Sequence, residues 1–152
     1  MARFEVANTK AGINTANSPM WQLRTATTTR ARVFEIGIST AVAPTTAPSW
    51  RLCRATAIGT SSATQAAEEE DPGGPAAVTL LDTAWSAAPT LSTTPMRLYA
   101  PPVTAGSGIV WTWPDHRPLI IPNAAASGLV IVNNAATGTT LGSFNVYCVF
   151  EE

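Results

Sequence analysis

The sequence has 152 residues, the size of one ordinary domain, with a net charge of −1 and only 12% charged residues against about 25% in soluble proteins generally. Nine basic and ten acidic side chains exclude an electrostatic nucleic-acid binder, which needs a basic stripe to displace counterions, and five Trp and four Phe exclude a disordered acidic chain. Twelve Pro and ten Gly, scattered along the chain, interrupt long helices and leave a compact, loop-rich, mostly β domain.

In chain order, residues 1–19 mix small polar residues with a short extended stretch, Arg3–Val6, and read as an arm or first edge strand outside the core. No apolar run of signal-peptide length follows Met1, and no stretch approaches the length of a transmembrane helix. Trp21 and Leu23 share one side of a short strand, with Gln22 and Arg24 on the other. In Arg32–Ile38 the alternation predicts Phe34, Ile36 and Ile38 on one face and Val33, Glu35 and Gly37 on the other. After a Pro-punctuated loop, Trp50, Leu52 and Arg54 alternate with Arg51, Cys53 and Ala55 as another strand.

Residues 59–75, ending in Glu68-Glu69-Glu70-Asp71-Pro72-Gly73-Gly74-Pro75, read as a long surface loop, with a turn or two of helix open over Ala63–Glu70. The four adjacent acids read as a solvated tip, since the ligand alternation of a calcium loop is missing. Short strands are predicted at Val78–Leu81 and Met96–Tyr99 around a Ser/Thr/Pro loop carrying Trp85, and then at Gly108–Pro114, Leu119–Ile121, Leu129–Val132 and Phe144–Phe150. In the last of these Phe144, Val146, Cys148 and Phe150 line one face. Eight or nine short antiparallel strands predict an all-β sandwich, and the many connections of ten or more residues favour a jelly roll over a meander.

The inventory for chemistry is thin. His116 is the single histidine, and its neighbour Asp115 points the opposite way on an extended chain, so no catalytic pair is predicted. A Gly-x-Ser-x-Gly elbow and a phosphate-cradling Gly loop are both missing. Cys53 and Cys148 stand far apart without zinc-type spacing; a disulfide stays open, but buried thiols fit a reducing compartment better. Glu35, in mid-strand, is expected to pair with Arg24 or Arg54 on a neighbouring strand. No catalytic residue, metal ligand or cofactor site is therefore assigned. The five Trp are either core and interface residues or sugar-stacking platforms, and Trp111 and Trp113 share a face with Ile109 as core residues do.

Several segments resemble small structural proteins of tailed bacteriophages: Trp21–Arg24 through Arg32–Gly37, Gly108–Pro114, Pro118–Pro122, Gly128–Asn133 and the ending Tyr147–Glu152. The resemblance implies a jelly-roll sandwich over residues 20–152 and a virion role assembled in the host cytoplasm. The role implied is that of a decoration (cement) protein on the outer face of the head, bound to the major capsid protein, with no nucleic-acid or membrane contact. A trimer is expected from the local threefold positions of such a shell. The arm, through Arg3, Phe4 and Val6, is expected to lie on a neighbour, with Trp85, Trp111 and Trp113 as further interface candidates. Deleting residues 2–17 is then expected to weaken association while leaving the sandwich folded. A tail or fibre component, or a carbohydrate-binding module using exposed Trp, is the alternative.

Overall fold

The computed structural model describes residues 1–12, 15–26, 28–124, 127–136 and 142–152; residues 13 and 14 of the expected arm lie outside them. Thirteen strands, numbered in chain order, form two antiparallel sheets, and the described residues include no helix. The first sheet holds β1 (Arg3–Ala11), β3 (Ala31–Thr40), β6 (Glu68–Glu69), β10 (Gly108–Thr112), β11 (Leu119–Ile121) and β13 (Ser143–Glu151). The second holds β2 (Pro19–Arg24), β4 (Trp50–Ala57), β5 (Thr60–Ala66), β7 (Leu80–Ala87), β8 (Thr90–Leu91), β9 (Arg97–Tyr99) and β12 (Gly128–Asn133). The strand order is β10-β3-β13-β1-β6 in one sheet, with β11 also on β3, and β5-β7-β2-β12-β4-β8 in the other, with β9 also on β4.

The main core lies between the sheets, where the longer strands turn their apolar residues towards one another. Trp50 of the second sheet meets Phe144 of the first at 6.0 Å between ring centroids, and Phe4 stacks on Phe150 at 5.6 Å within the first. Leu23, Ile36, Leu52, Ile121, Leu129 and Ile131 fill the space around these rings.

Of the two readings of residues 1–19, an arm or a first edge strand, Arg3–Ala11 takes the strand, and β1 corrects the expectation that this segment lies outside the core. It pairs with β13 along its whole length and with β6 over Phe4 and Glu5, and Phe4 and Val6 are 1% and 3% exposed. Its polar half is held too: Asn8 donates to Gln65 Oε1 (3.0 Å), and the Lys10 ammonium donates to the carbonyl of Thr83.

A β-bulge corrects the face assignment in β3. Phe150 pairs with Val33 and Val149 with Glu35, so Phe34 has no opposite residue and the alternation shifts by one. Val33 therefore joins Ile36 and Ile38 in the core. Phe34 turns to the outer face, beneath the guanidinium groups of Arg3 and Arg32 at 5.0 and 5.6 Å.

The segment expected as a loop or short helix around Ala63–Glu70 is strand, β5 followed after one residue by β6, and these two pair into different sheets. Trp85, expected in a loop, lies within β7. Ala57 pairs with Thr90 and Thr60 with Ala87, so β4–β5 and β7–β8 are two lengths of one two-stranded ribbon, bent at Gly59 (φ 73°) and the buried Pro89. The ribbon leaves the sheet beside β4 and returns to pair β7 with β2, on the other side of β12. On the outer face of these strands Cys53, Ala55, Val130 and Val132 make a second, smaller core with Leu91 against it. Gln22 and Asp82 pair across strands beside it and are fully buried. Both cysteines are buried free thiols, as the sequence reading favoured, and burial pushes both thiols up in pKa, Cys148 the further.

Candidate functional site

The strand alternation that fills the core also fixes what the first sheet shows to solvent. Register places Ala7, Tyr147, Gly37 and Val110 in one cross-strand row, and Thr9, Asn145, Ser39 and Gly108 in the next. These eight positions carry no charge. A third row, Glu5, Val149, Glu35 and Thr112, borders them with two acids.

Tyr147 organises the patch. A Cβ at Gly37 would fall 1.9 Å from Tyr147 Cε1, so the ring lies across the glycine, and only the missing side chain allows it. Its hydroxyl donates to Glu35 Oε1, and Thr9 Oγ1 donates to Asn145 Oδ1 at 2.7 Å. A shallow hollow of about 250 Å³ opens on the Gly37 side of the ring, with Ser39, Asn145 and Val110 in its wall. A second, of about 300 Å³, opens over Ala7 and Thr9. Hydroxyls, an amide and a phenol edge thus surround two open depressions, an arrangement that recognises a surface by shape and neutral hydrogen bonds.

The bond to Glu35 pushes the Tyr147 phenol up to about 12, with burial and the charges of Glu35 and Glu5 acting in the same direction. Since an unfolded tyrosine releases its proton near pH 10, the protonated phenol's contribution to stability is complete below about pH 10 and is lost as pH rises towards 12. Phenolate absorbance in a Tyr99→Phe variant, which leaves Tyr147 as the only tyrosine, is expected to rise near pH 12, and Glu35→Gln is expected to bring the transition back towards about 10. A wild-type transition already near 10 would mean that the bond to Glu35 does not form.

The residues predicted from the sequence do not form one surface. Phe4, Val6 and Trp111 are buried in the core, so as interface residues they are corrected: their side chains serve the sandwich. Arg3 is exposed and pairs with Glu70 at 3.7 Å; Trp113 is half-buried, with the Arg97 guanidinium 5.9 Å from its ring; Trp85 is half-buried in the opposite sheet. Glu35 pairs with Tyr147, because Arg24 and Arg54 belong to the other sheet: Arg24 binds Asp82 at 2.6 Å, and Arg54 donates to the carbonyl of Ile120. The acidic segment is engaged, through the pairing of Glu68 and Glu69 with β1 and the ion pair of Glu70. His116 lies exposed on the turn between β10 and β11. The signal for Tyr147 was present as the complement of a pattern: the residues alternating with Phe144, Val146 and Cys148 are Asn145 and Tyr147, and a glycine stands amid the apolar residues of β3. No family model matches the chain, and no curated protein matches it, so the resemblance to phage structural proteins rests on the segments that carry it.

Proposed function

We propose that the chain is a jelly roll acting as an adhesive structural protein, without a reaction of its own, and that it decorates the outer face of a phage head by binding the major capsid protein. The jelly-roll reading rests on strand order. With β8/β9 and β10/β11 each taken as one strand, and β5–β7 as an insertion, eight strands lie as β1-β13-β3-β10/β11 against β2-β12-β4-β8/β9. The chain then changes sheet at every step except β4 to β8/β9. The binding reading rests on one observation, the uncharged face around Tyr147 in a protein whose remaining outer surface on that sheet, at Arg3, Glu5, Arg32, Glu35 and Glu151, is charged. A fixed partner held by shape and neutral hydrogen bonds suits such a patch, and many copies acting in parallel supply avidity.

The test is co-sedimentation of the purified protein with isolated heads and isolated tails of the phage that encodes it. Binding to heads, lost in Asn145→Arg at an unchanged melting temperature, is the expected result. Binding to tails alone moves the protein to a tail or fibre role. Binding to neither, together with retention of a glycan, favours a carbohydrate module.

A further inference from the structure

The open edge of β10 differs from those of the other outermost strands of the two sheets among the described residues. β5 is interrupted by register shifts at three places, β6 is two glutamates, and β8, β9 and β11 are two or three residues long. Irregularity, charge and shortness are the usual guards against edge-to-edge pairing. β10, Gly108-Ile109-Val110-Trp111-Thr112, has five residues in regular register, with no charge and no proline, and its Val110 side chain is 50% exposed.

The direction of its backbone groups follows from two hydrogen bonds. Trp113 N–H donates to Phe34 C=O (2.7 Å) beyond one end, and Ser107 C=O accepts from Thr40 N–H (2.9 Å) beyond the other. Alternation between them aims the N–H and C=O of Ile109 and Trp111 at β3 and those of Val110 and Thr112 away from it. Gly108 C=O, which also points away, is already held by the Tyr99 hydroxyl at 2.9 Å. Two residues therefore present unpaired donors and acceptors side by side, and among the described residues β10 pairs only with β3.

We infer that this edge pairs with β10 of a second copy. The occupant follows from self-complementarity: in antiparallel orientation about a dyad at Trp111, Val110 of each copy exchanges both backbone bonds with Thr112 of the other. Each Val110 side chain then lies beside a threonine, and no charged side chain of either β10 meets its mate. Pairing ends past Thr112, where the chain leaves the strand at Trp113-Pro114. Four hydrogen bonds and a small apolar contact make a weak dimer, one that forms at high local concentration. It joins the first sheets of two copies edge to edge, with Val110 bordering the Tyr147 face, and self-association is read without any ligand on that face. A dyad closes with two copies, so a threefold assembly would use another surface.

Analytical ultracentrifugation from micromolar to millimolar protein tests it. The wild type is expected to show a concentration-dependent monomer–dimer equilibrium. Thr112→Pro removes an N–H that the ladder with β3 does not use, and by symmetry two intermolecular bonds, so the dissociation constant is expected to rise about tenfold or more. Val110→Lys, on an exposed side chain, is expected to weaken the dimer equally and guards against a folding defect in the proline variant. A wild type that stays monomeric throughout, or self-association that Val110→Lys leaves unchanged, overturns the pairing.

Discussion

Removal of residues 2–11 is expected to abolish folding, where the sequence alone led us to expect a stable sandwich after a longer deletion. β1 supplies Phe4 and Val6 to the core and the whole pairing partner of β13 on one side. Phe4 alone, 1% exposed and stacked on Phe150, is worth about 3–5 kcal/mol by truncation to alanine, against a total stability of about 5–15 kcal/mol for a domain of this size. Loss of the strand also strips Val146, Cys148 and Phe150 of their cover on that side. Urea denaturation of Phe4→Ala is expected to show that 3–5 kcal/mol loss, roughly, with a cooperative transition kept, and the deletion is expected to show no transition. A deletion variant with native circular dichroism and a sharp melt would make β1 dispensable.

The second large effect is expected at the Arg24–Asp82 pair. Asp82 is fully buried, accepting from Arg24 Nε at 2.6 Å and from Thr64 Oγ1 at 3.0 Å, whereas the Arg24 side chain keeps 23% exposure. Arg24→Met leaves a buried carboxylate with only the threonine and is expected to cost about 3–5 kcal/mol. Asp82→Asn leaves a guanidinium that reaches water and is expected to cost less, about 1–2 kcal/mol. The double variant Arg24→Met/Asp82→Leu is expected to recover most of the loss, since a buried ion pair seldom outdoes a well-packed apolar pair. A double-mutant cycle reads the coupling directly. If Arg24→Met costs less than about 1 kcal/mol, the pair behaves as an exposed surface bridge and the buried-pair reading fails.

Where side chains alternated cleanly, the sequence could be read directly. Trp21 and Leu23 of β2, Trp50 and Leu52 of β4, and Phe144, Val146, Cys148 and Phe150 of β13 lie in the core as their period-two patterns predict, whereas β12 is apolar and buried on both faces. Three elements hid for separate physical reasons. The far half of β1 faces inward with Asn8 and Lys10, whose partners on the ribbon are remote in the chain, so its polar residues masked a strand. β3 carries a bulge, and one extra residue exchanges the two faces of everything before it. β5, Thr-Ser-Ser-Ala-Thr-Gln-Ala, has no apolar alternation, and what makes it a strand is its pairing with β7. The Tyr147 patch escaped because it is made of what surrounds the pattern: small neutral residues on four strands, which only register brings together.

The pairing of β1 with β13 also sets a timetable for biosynthesis. Thr9 and Asn145, which bond across these strands, are 136 positions apart, so at typical elongation rates the first strand leaves the ribosome on the order of ten seconds before its mate exists. Throughout that interval an apolar ribbon end waits uncovered, and the closing step is a long-range one of the kind that makes folding slow. Nascent chains stalled before residue 143 should therefore be captured by chaperones, and release of the last strand, β13, should end the capture.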